Sequence, residues 1–313
     1  MKHCWGNEIG PQGSKWKRSR KKSQPSKPAL PEDLDGLVQA IASDRLILFV
    51  GDGISQSLGL PNIRALVNHL ASDLGFSAEL LQTAEYAVIA EAYLLKHGKL
   101  GPLRAWMDST WHPAKVDITK SEIHNLIVDL ELSTIYTTNY DRWLEIAFEK
   151  RKRPFHKIAN VADLAADARG QTEIIKFHGD FADDDSLVLT EASYFQRMIF
   201  ESPLDIRLRS DCLARPLLFL GYSLHDVNTR YLLFRLQELW KSSPYADQRP
   251  VSYIAMTERD LAQEIVLRAR GVHPIVLEGD PSHATTTFLR QISQAAQTLR
   301  KNRDRTPQTK LAL

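Results

Sequence analysis

Short apolar runs alternate along this chain with longer segments whose apolar positions recur at helical spacing. The runs at 46–50, 133–138 and 216–220 are rich in Leu, Ile, Phe and Tyr, which predicts strands buried on both faces of a sheet. Shorter runs of the same kind predict further strands at 155–159, 173–177, 187–190, 251–256 and 272–277.

Helical patterns occupy the intervals between these runs. The segment 101–131 is helical but irregular, and Trp106 and Trp111 within it are expected to pack inside the protein. The other predicted helices are 33–43, 62–74, 83–97, 141–151, 192–212, 226–241, 258–269 and 283–301. Buried strands that alternate with helices indicate an α/β fold. We predict a Rossmann-like parallel sheet with helices on both faces and a small helical insertion near 75–132.

Both ends of the chain are basic and poor in apolar residues. Residues 1–32 are predicted to form a disordered tail and residues 303–313 a second one, on either side of a globular domain at 33–302. The N-terminal tail is either a solvated leader or an arm that contacts nucleic acid or an acidic partner. Its basic residues include Lys15, Lys17, Arg18, Arg20, Lys21, Lys22 and Lys27.

Bulk composition excludes several classes of protein. The net charge of the 313 residues is only +2, so no field of the whole molecule favours nucleic acid. Two cysteines, Cys4 and Cys212, cannot build a disulfide framework or a four-thiolate zinc site, and they fit a reducing cytoplasm. No His or Cys pair has metal-ligand spacing, and no apolar run approaches the roughly 18–20 residues of a membrane span. We therefore expect a cytoplasmic protein without a metal and without membrane contact.

A glycine turn follows the first strand. In Gly51-Asp52-Gly53-Ile54-Ser55, the glycines let the backbone approach a phosphate closely, and Ser55 can donate a hydrogen bond to it. There is no Gly-Lys-Ser/Thr, which excludes a P-loop, and Gln56 stands where a dehydrogenase fingerprint requires its third glycine. The turn by itself leaves nucleotide binding and a plain structural turn both open.

A second polar motif, Thr138-Asn139-Tyr140-Asp141, follows the strand at 133–138. Asn and Asp are common helix N-caps, so one interpretation is that Asn139 or Asp141 only begins the next helix. The other interpretation places an amide and a carboxylate at the sheet edge, where they can orient a sugar or an amide group.

Two more motifs end apolar runs. His178 lies between an apolar strand and Gly179, with Asp180 two residues on, and an imidazole of ordinary pKa near 6.5 suits a general base. A lone histidine is more often structural. After the strand at 216–220, Gly221 and Ser223 could receive the far half of a dinucleotide, and Asp226 more readily caps a helix. Ligands of parallel sheets bind outside the carboxyl ends of the strands, where all four motifs are predicted to lie.

Taken in order, these motifs resemble those of the sirtuin (silent information regulator two) superfamily, over about residues 45–278. Each motif has a counterpart there: the first nicotinamide-dinucleotide motif, the Gln-Asn-Ile-Asp element, the His-Gly pair and the Gly-Thr-Ser-Leu loop. The matching segments of this chain are, in that order, 51–64, 138–141, 177–179 and 221–224.

The resemblance implies a role for each candidate site residue, with NAD as the ligand. Asn139 would position the ribose hydroxyls or the attacking water, and His178 would be the general base. Asp141 would hold the nicotinamide carboxamide. The residues implied to lie against the phosphates, the ribose or the adenosine are Gly51, Asp52, Gly53, Ser55, Arg64, Gly221 and Ser223.

Departures from the family pattern select among functions. The four-cysteine zinc module of the protein deacylases cannot form here, and the Thr-Thr-Asn-Tyr-Asp and Gly-Tyr-Ser-Leu segments look like those of the zinc-free bacterial antiviral branch, which hydrolyses NAD. The resemblance thus implies an NAD glycohydrolase that uses no metal. A nucleotide sensor or assembly subunit is the alternative, because Asp52 puts a carboxylate in the phosphate loop. An NAD-dependent protein deacylase is a third hypothesis.

An NAD-consuming enzyme without control would kill its own cell. The expected resting state is therefore inactive, as in abortive infection, where the enzyme acts only after phage is sensed. We expect control by a separately encoded defence partner, by a phage component, or by a homo-oligomer built through residues 75–132 or the last helix.

Overall fold

Parallel strands form the central sheet of the protein, whose computed structural model describes residues 34–77, 85–222, 227–241 and 243–305. Within these residues seven strands pair in the order β3-β4-β2-β1-β5-β6-β7, and every pair is parallel. The predicted parallel α/β sheet is thereby confirmed. The strands are β1 (Ile47–Val50), β2 (Thr134–Thr137), β3 (Phe155–Ile158), β4 (Thr172–Lys176), β5 (Leu217–Leu220), β6 (Ser252–Met256) and β7 (Val272–Val276).

Helices connect the strands, as the sequence pattern predicts. Two short helices, α2 and α8, lie where no helix is expected, because four or five residues are too few to show a helical period. The helices are α1 (Asp35–Ala42), α2 (Asp52–Gln56), α3 (Ile63–Leu74), α4 (Tyr86–His97), α5 (Gly101–Trp111), α6 (Glu122–Asp129), α7 (Trp143–Lys150), α8 (Val161–Leu164), α9 (Glu191–Ile199), α10 (Pro203–Ala214), α11 (Val227–Lys241), α12 (Leu261–Ala269) and α13 (Pro281–Arg305).

The sheet is covered by helices on both faces. On one face α1, α6, α7 and α13 bury a cluster that includes Leu48, Val50 and Ile135. On the other face α10, α11 and α12 bury a second cluster, in which the Phe49 ring stacks between Tyr136 at 5.4 Å and Phe219 at 5.2 Å. Alternate side chains of β1 thus enter opposite cores, which explains why its sequence is apolar without interruption.

A third apolar cluster lies in the helical insertion between β1 and β2. Helices α3, α4 and α5 pack Leu66, Ile89 and Leu103 against Phe181 and Leu189, which belong to the segment that follows β4. Helix α6 packs on α13 and so belongs to the sheet layers. The insertion therefore packs on the segment that follows His178.

One strand prediction is wrong. The run 187–190 forms no strand, although Leu187, Val188 and Leu189 are buried. Its Val188 N–H donates to the His178 carbonyl oxygen at 2.9 Å, but its side chains pack on the helical insertion. Burial without alternation does not distinguish a strand from an extended loop, and here the burial comes from packing on the insertion.

The predicted tails fall largely outside the described residues. Residues 1–32 lie wholly outside them, and so do residues 306–313. The last helix runs to Arg305, three residues beyond the predicted end of the domain. Among the helices of the described ranges, none is both long and apolar enough to cross a membrane.

Candidate active site

The four sequence motifs meet at one edge of the sheet. They follow β1, β2, β4 and β5, which are consecutive in the strand order β4-β2-β1-β5. Parallel neighbours end at the same edge, so their carboxyl-terminal loops adjoin one another. The chain turns to one side of β1 for β2, β3 and β4 and then crosses to β5 on the other side. Such a crossover opens a crevice between two loops that lead away in opposite directions, which is where ligands of open α/β sheets bind.

The glycines of the first and last motifs hold two loops together. Gly51 N–H donates to the Leu220 carbonyl oxygen at 2.9 Å, and Gly53 N–H donates to the Gly221 carbonyl oxygen at 3.0 Å. A Cβ atom on Gly51 would lie 2.5 Å from that same Gly221 oxygen. Gly221 itself has a φ of +72°, which disfavours other residues. Glycine is therefore required here for contact between the loops, and the two amides expected near a phosphate are engaged with the β5 loop.

Asn139, Ser55 and Asp141 form a buried hydrogen-bonded chain. Asn139 Nδ2 donates to the Gly51 carbonyl oxygen at 3.1 Å and to Ser55 Oγ at 2.9 Å. Ser55 Oγ donates to Asp141 Oδ2 at 2.6 Å, and the other carboxylate oxygen accepts from Trp143 N–H at 3.1 Å. Asp141 thus accepts from the first N–H group of α7, as a capping side chain does, and also reaches the glycine turn.

Asn139 does not cap the helix. Its side chain ties the β2 loop to the β1 loop, and its Oδ1 is buried with no hydrogen-bond partner among the described residues. A buried polar atom without a partner costs free energy, and native proteins retain few of them. This oxygen is an acceptor available to a donor on a ligand or a water molecule.

His178 lines a narrow aromatic cavity beside this chain of hydrogen bonds. Its ring lies edge-on to Tyr194 with centroids 5.6 Å apart. Burial, and to a lesser extent the positive charge of Arg197, lower the pKa of His178 to about 3. The imidazole is therefore neutral at pH 7, with a weaker tendency to accept a proton than an ordinary pKa of 6.5 implies.

Asp180 does not orient His178, contrary to what its spacing suggests. Its Oδ1 accepts from Lys157 Nζ at 2.7 Å, and its Oδ2 lies 3.6 Å from Lys176 Nζ. The turn at Gly179 sends Asp180 to the opposite side, because Gly179 has a φ of +92°. Sequence reasoning missed Lys176, which follows an apolar run and is wholly buried.

The cavity is narrow. Its free volume is about 40 Å³, and the residues around it include Thr138 but not Asn139. Tyr222 also lines it, with its hydroxyl 2.9 Å from Thr138 Oγ1 and donating to the Val50 carbonyl oxygen at 3.3 Å. The structure therefore joins the glycine turn, Asn139 and Asp141 directly, and it places His178 in an adjoining cavity.

The remaining candidate residues lie at the rim or outside the described chain. Asp52 is exposed, and its Oδ2 accepts from Gln56 Nε2 at 2.7 Å. Arg64 is exposed in the first turn of α3, and its guanidinium makes no hydrogen bond within the described ranges. Ser223 lies outside the described residues. No three His, Cys, Asp or Glu side chains are grouped as metal ligands in the part of the chain that was searched.

Comparisons with known proteins point to one group. A family profile described as "SIR2-like domain" matches residues 133–275, which contain β2 to β6 and with them Asn139, Asp141 and His178. The curated protein "NAD(+) hydrolase ThsA" of Acinetobacter baumannii is 24% identical over 208 residues, which are 65% of this chain and 42% of that protein. The protein of the same name from Enterococcus faecium is 29% identical over 204 residues, 62% of this chain and 40% of the relative.

A further relative has a different name. "Defense-associated sirtuin 2" of Bacillus subtilis is 27% identical over 221 residues, 68% of this chain and 21% of that protein. This chain thus spans about two-fifths or less of the length of these relatives. A solved structure titled "Structural Basis for the Mechanism and Regulation of Sir2 Enzymes" covers 87% of this chain and all of its own, at 12% identity and a TM-score of 0.47. The fold described above rests on the sheet itself and not on that overlap.

The first prediction concerns the turn at His178. Alanine at Gly179 would overlap the Ser186 carbonyl oxygen in addition to adopting a strained φ, whereas alanine at Gly98 meets a similar φ of +70° in open space. Gly98→Ala is the matched control and should lower the free energy of unfolding by about 1–2 kcal/mol. Gly179→Ala should lower it by roughly 3–5 kcal/mol, because overpacking adds to strain. Urea unfolding measures both values, and equal losses would contradict the clash.

The second prediction concerns acid stability. Burial is the main cause of the low pKa of both His178, at about 3, and His124, at about 4. Both groups are neutral in the folded chain above about pH 5, and in the unfolded chain they become neutral as the pH rises through 6.5. Below it the unfolded chain binds protons that the folded chain does not, so stability falls from about pH 6.5 toward pH 4.

Urea unfolding at pH 7 and pH 5 tests this linkage. His178→Asn and His124→Asn should each lower by about one the number of protons that the chain takes up on unfolding at pH 5. The substitutions are compared by the difference between the two pH values, so their own stability costs cancel. An unchanged difference in either variant would show that the folded chain binds that proton as readily as the unfolded chain.

Proposed function

We propose that this chain, part of which matches a SIR2-like domain, is an NAD⁺ glycohydrolase, which cleaves NAD into nicotinamide and ADP-ribose. The observation that carries the proposal is the meeting of the glycine turn, the Asn139 segment, the His178 turn and the Gly221 loop at the crossover of the sheet. A dinucleotide can lie across such a crevice, with its nicotinamide end toward β2 and β4 and its adenosine end toward β5.

The protein need not form a covalent bond to the substrate in this reaction. Nicotinamide leaves readily, and the ribose passes through an oxocarbenium-like state that must be shielded, oriented and attacked by one water molecule. The unpartnered Asn139 Oδ1 can accept a hydrogen bond from that water or from a ribose hydroxyl, and the neutral His178 imidazole can accept its proton. Ser55 and Asp141 would hold the polar groups of the ligand, and the turns at Gly51, Gly53 and Gly221 would border its phosphates and adenosine.

The biological role we propose is antiphage defence. The relatives named above as NAD(+) hydrolases and as a defense-associated sirtuin support an effector that depletes NAD once infection is sensed, as in abortive infection. We propose that it acts in the cytoplasm, as a homo-oligomer or with a separately encoded partner. We also propose that the basic residues near the N-terminus contact nucleic acid.

A nucleotide sensor without turnover is the second candidate. The low pKa of His178 favours it, because an imidazole with a pKa of about 3 is a weak general base at pH 7. Asp52 remains its sequence support, although the carboxylate accepts a hydrogen bond from Gln56.

The third prediction separates these two functions. Purified protein incubated with NAD, with and without infected-cell extract, should release free nicotinamide, which chromatography measures. Asn139→Ala and His178→Ala should each lower the rate by about 100-fold or more. His283→Ala, which changes a histidine in the first turn of the last helix, is the control and should keep full activity.

The other outcomes of this experiment would support one of the remaining hypotheses. Full turnover in both Asn139→Ala and His178→Ala would remove the proposed mechanism. Tight NAD binding without nicotinamide release in any condition would favour the sensor. Formation of O-acyl-ADP-ribose from an acylated peptide would support the deacylase instead.

Regulation is part of the proposal, and the narrow cavity supports an inactive resting state. A free volume of about 40 Å³ does not admit a nicotinamide ring, so turnover requires opening. Tyr222 is the side chain best placed to control it, because its hydroxyl bonds to Thr138 and to Val50 and its ring lies edge-on to Phe49 at 5.6 Å.

The fourth prediction tests this closure. Tyr222→Phe keeps the ring and removes the hydroxyl, so opening should become easier by the value of a hydrogen bond and untriggered NAD hydrolysis should rise up to about tenfold. Tyr231→Phe is the matched control, because Tyr231 also lines the cavity but donates to the Met198 carbonyl oxygen at 2.8 Å. A rate in Tyr222→Phe equal to that of the unmodified chain would contradict closure by this hydroxyl. Native mass, followed in the same samples, tests whether the active form is an oligomer.

A further inference from the structure

One buried ammonium group contacts the loop that carries Asn139. Lys176 is the last residue of β4, and none of its side chain is exposed. Its Nζ donates to the Tyr140 carbonyl oxygen at 3.2 Å and to the Asp141 carbonyl oxygen. These two carbonyl groups directly follow Asn139, so the ammonium fixes the backbone of this segment rather than a side chain that could rotate away.

The same ammonium also contacts the turn after His178 and the helix that follows Asp141. Its Nζ lies 3.6 Å from Asp180 Oδ2 and 3.2 Å from Glu145 Oε1, and both carboxylates are buried. Although burial raises the pKa of each carboxyl group, Lys176 and the Lys157 hydrogen bond bring the pKa of Asp180 below its ordinary value. Burial prevails at Glu145, whose pKa is raised.

The free-energy cost of burying the Lys176 ammonium fixes the positions of the segments around it. A buried ammonium is tolerated only where oxygen atoms replace its water, and here they come from the 138–142 loop, α7 and the turn at 177–180. Moving any one of these segments would withdraw an oxygen from a charge that cannot reach solvent. The three segments are therefore fixed relative to one another by a single group.

We propose that Lys176 is a positioning residue, which holds the Asn139 loop and the His178 turn in the relative placement that NAD cleavage requires. This inference rests on the proposed function, because it assigns those two side chains to one reaction. The competing explanation is that Lys176 only neutralises Asp180 and Glu145 and has no effect on the Asn139 loop.

The test uses a double variant. Lys176→Met alone would leave two buried carboxyl groups without their shared cation and could fail to fold. Lys176→Met combined with Glu145→Gln removes the cation together with one of these two carboxyl groups, and Asp180 keeps its hydrogen bond to Lys157. Lys157→Met is the matched control, because Lys157 pairs with the same Asp180 but makes no contact with the 140–141 carbonyl groups in the described structure.

Steady-state kinetics under the conditions that give the unmodified chain its highest rate provide the first measurement. Misplacement of reacting groups by about 1 Å can cost about 100-fold, so kcat of the double variant should fall by about that factor, with KM for NAD changed far less. Lys157→Met should stay within about threefold of the unmodified chain. Equal kcat losses in the two variants would overturn the proposal, because Asp180 would then account for both.

Amide hydrogen exchange without substrate provides a measurement that does not depend on activity. The double variant should exchange faster in peptides that cover 138–143 and 177–183, whereas Lys157→Met should affect only 177–183. Unchanged protection of 138–143 in the double variant would overturn the positioning role. If the unmodified chain hydrolyses no NAD under any condition, the proposed function fails, and the exchange result still decides what Lys176 holds in place.

Discussion

The close approach of two backbones at the sheet crossover is the constraint on which the site depends. Gly51 and Gly53 contact Gly221 so closely that a Cβ atom on either of the first two would come within 2.9 Å of the Gly221 carbonyl oxygen. Because β1 and β5 are hydrogen-bonded neighbours that lead to opposite halves of the sheet, their loops can meet only at this edge. The glycine turn in turn supplies the carbonyl oxygen and the Ser55 hydroxyl to which Asn139 is bonded. A side chain at either glycine would therefore displace the amide as well as the loops.

Behind this contact, the polar groups of the site are largely bonded to one another. Ser55 joins Asn139 to Asp141, and Lys176 joins the following backbone to the turn after His178. Buried polar groups are costly unless they are satisfied, so such a network has one favoured arrangement and resists small distortions. Asn139 Oδ1 is an exception, because it is buried without a hydrogen-bond partner among the described residues. Both Glu145 carboxylate oxygens and Asp180 Oδ2 also lack a hydrogen-bond partner there, but they lie beside the Lys176 ammonium. Asn139 Oδ1 has no such charge beside it and is the acceptor suited to receiving a ligand.

The other side of the site is lined by aromatic rings. The cavity beside His178 is lined by residues that include Phe49, Phe177, Tyr194 and Tyr222, whose rings pack edge to face on one another or on His178. The Tyr222 hydroxyl also bonds to Thr138 and Val50. The loops proposed to be catalytic are thus held by the Lys176 network, while the proposed control of access rests on the Tyr222 hydroxyl. Burial beside these rings keeps His178 neutral.

The sequence by itself determined the sheet and the approximate position of the site. Uninterrupted apolar runs such as 46–50 can be buried only between two helical layers, and the carboxyl ends of parallel strands must share an edge. These local patterns predicted β1, β2, β4 and β5 and the glycine, Asn139 and His178 motifs at their ends. The run 187–190 was mistaken for a strand because its burial comes from the helical insertion, which a local pattern does not encode.

Tertiary structure alone decided which polar groups meet. No spacing in the sequence indicates that Asp180 pairs with Lys176 and Lys157 rather than with His178, or that Tyr222 reaches back to Val50 and Thr138. These partners lie between 4 and 172 residues apart, and even the nearest pair depends on the left-handed turn at Gly179. Local periodicity specifies whether a residue is buried. The partner that it meets there is set by the strand order and by the loops that this order brings together.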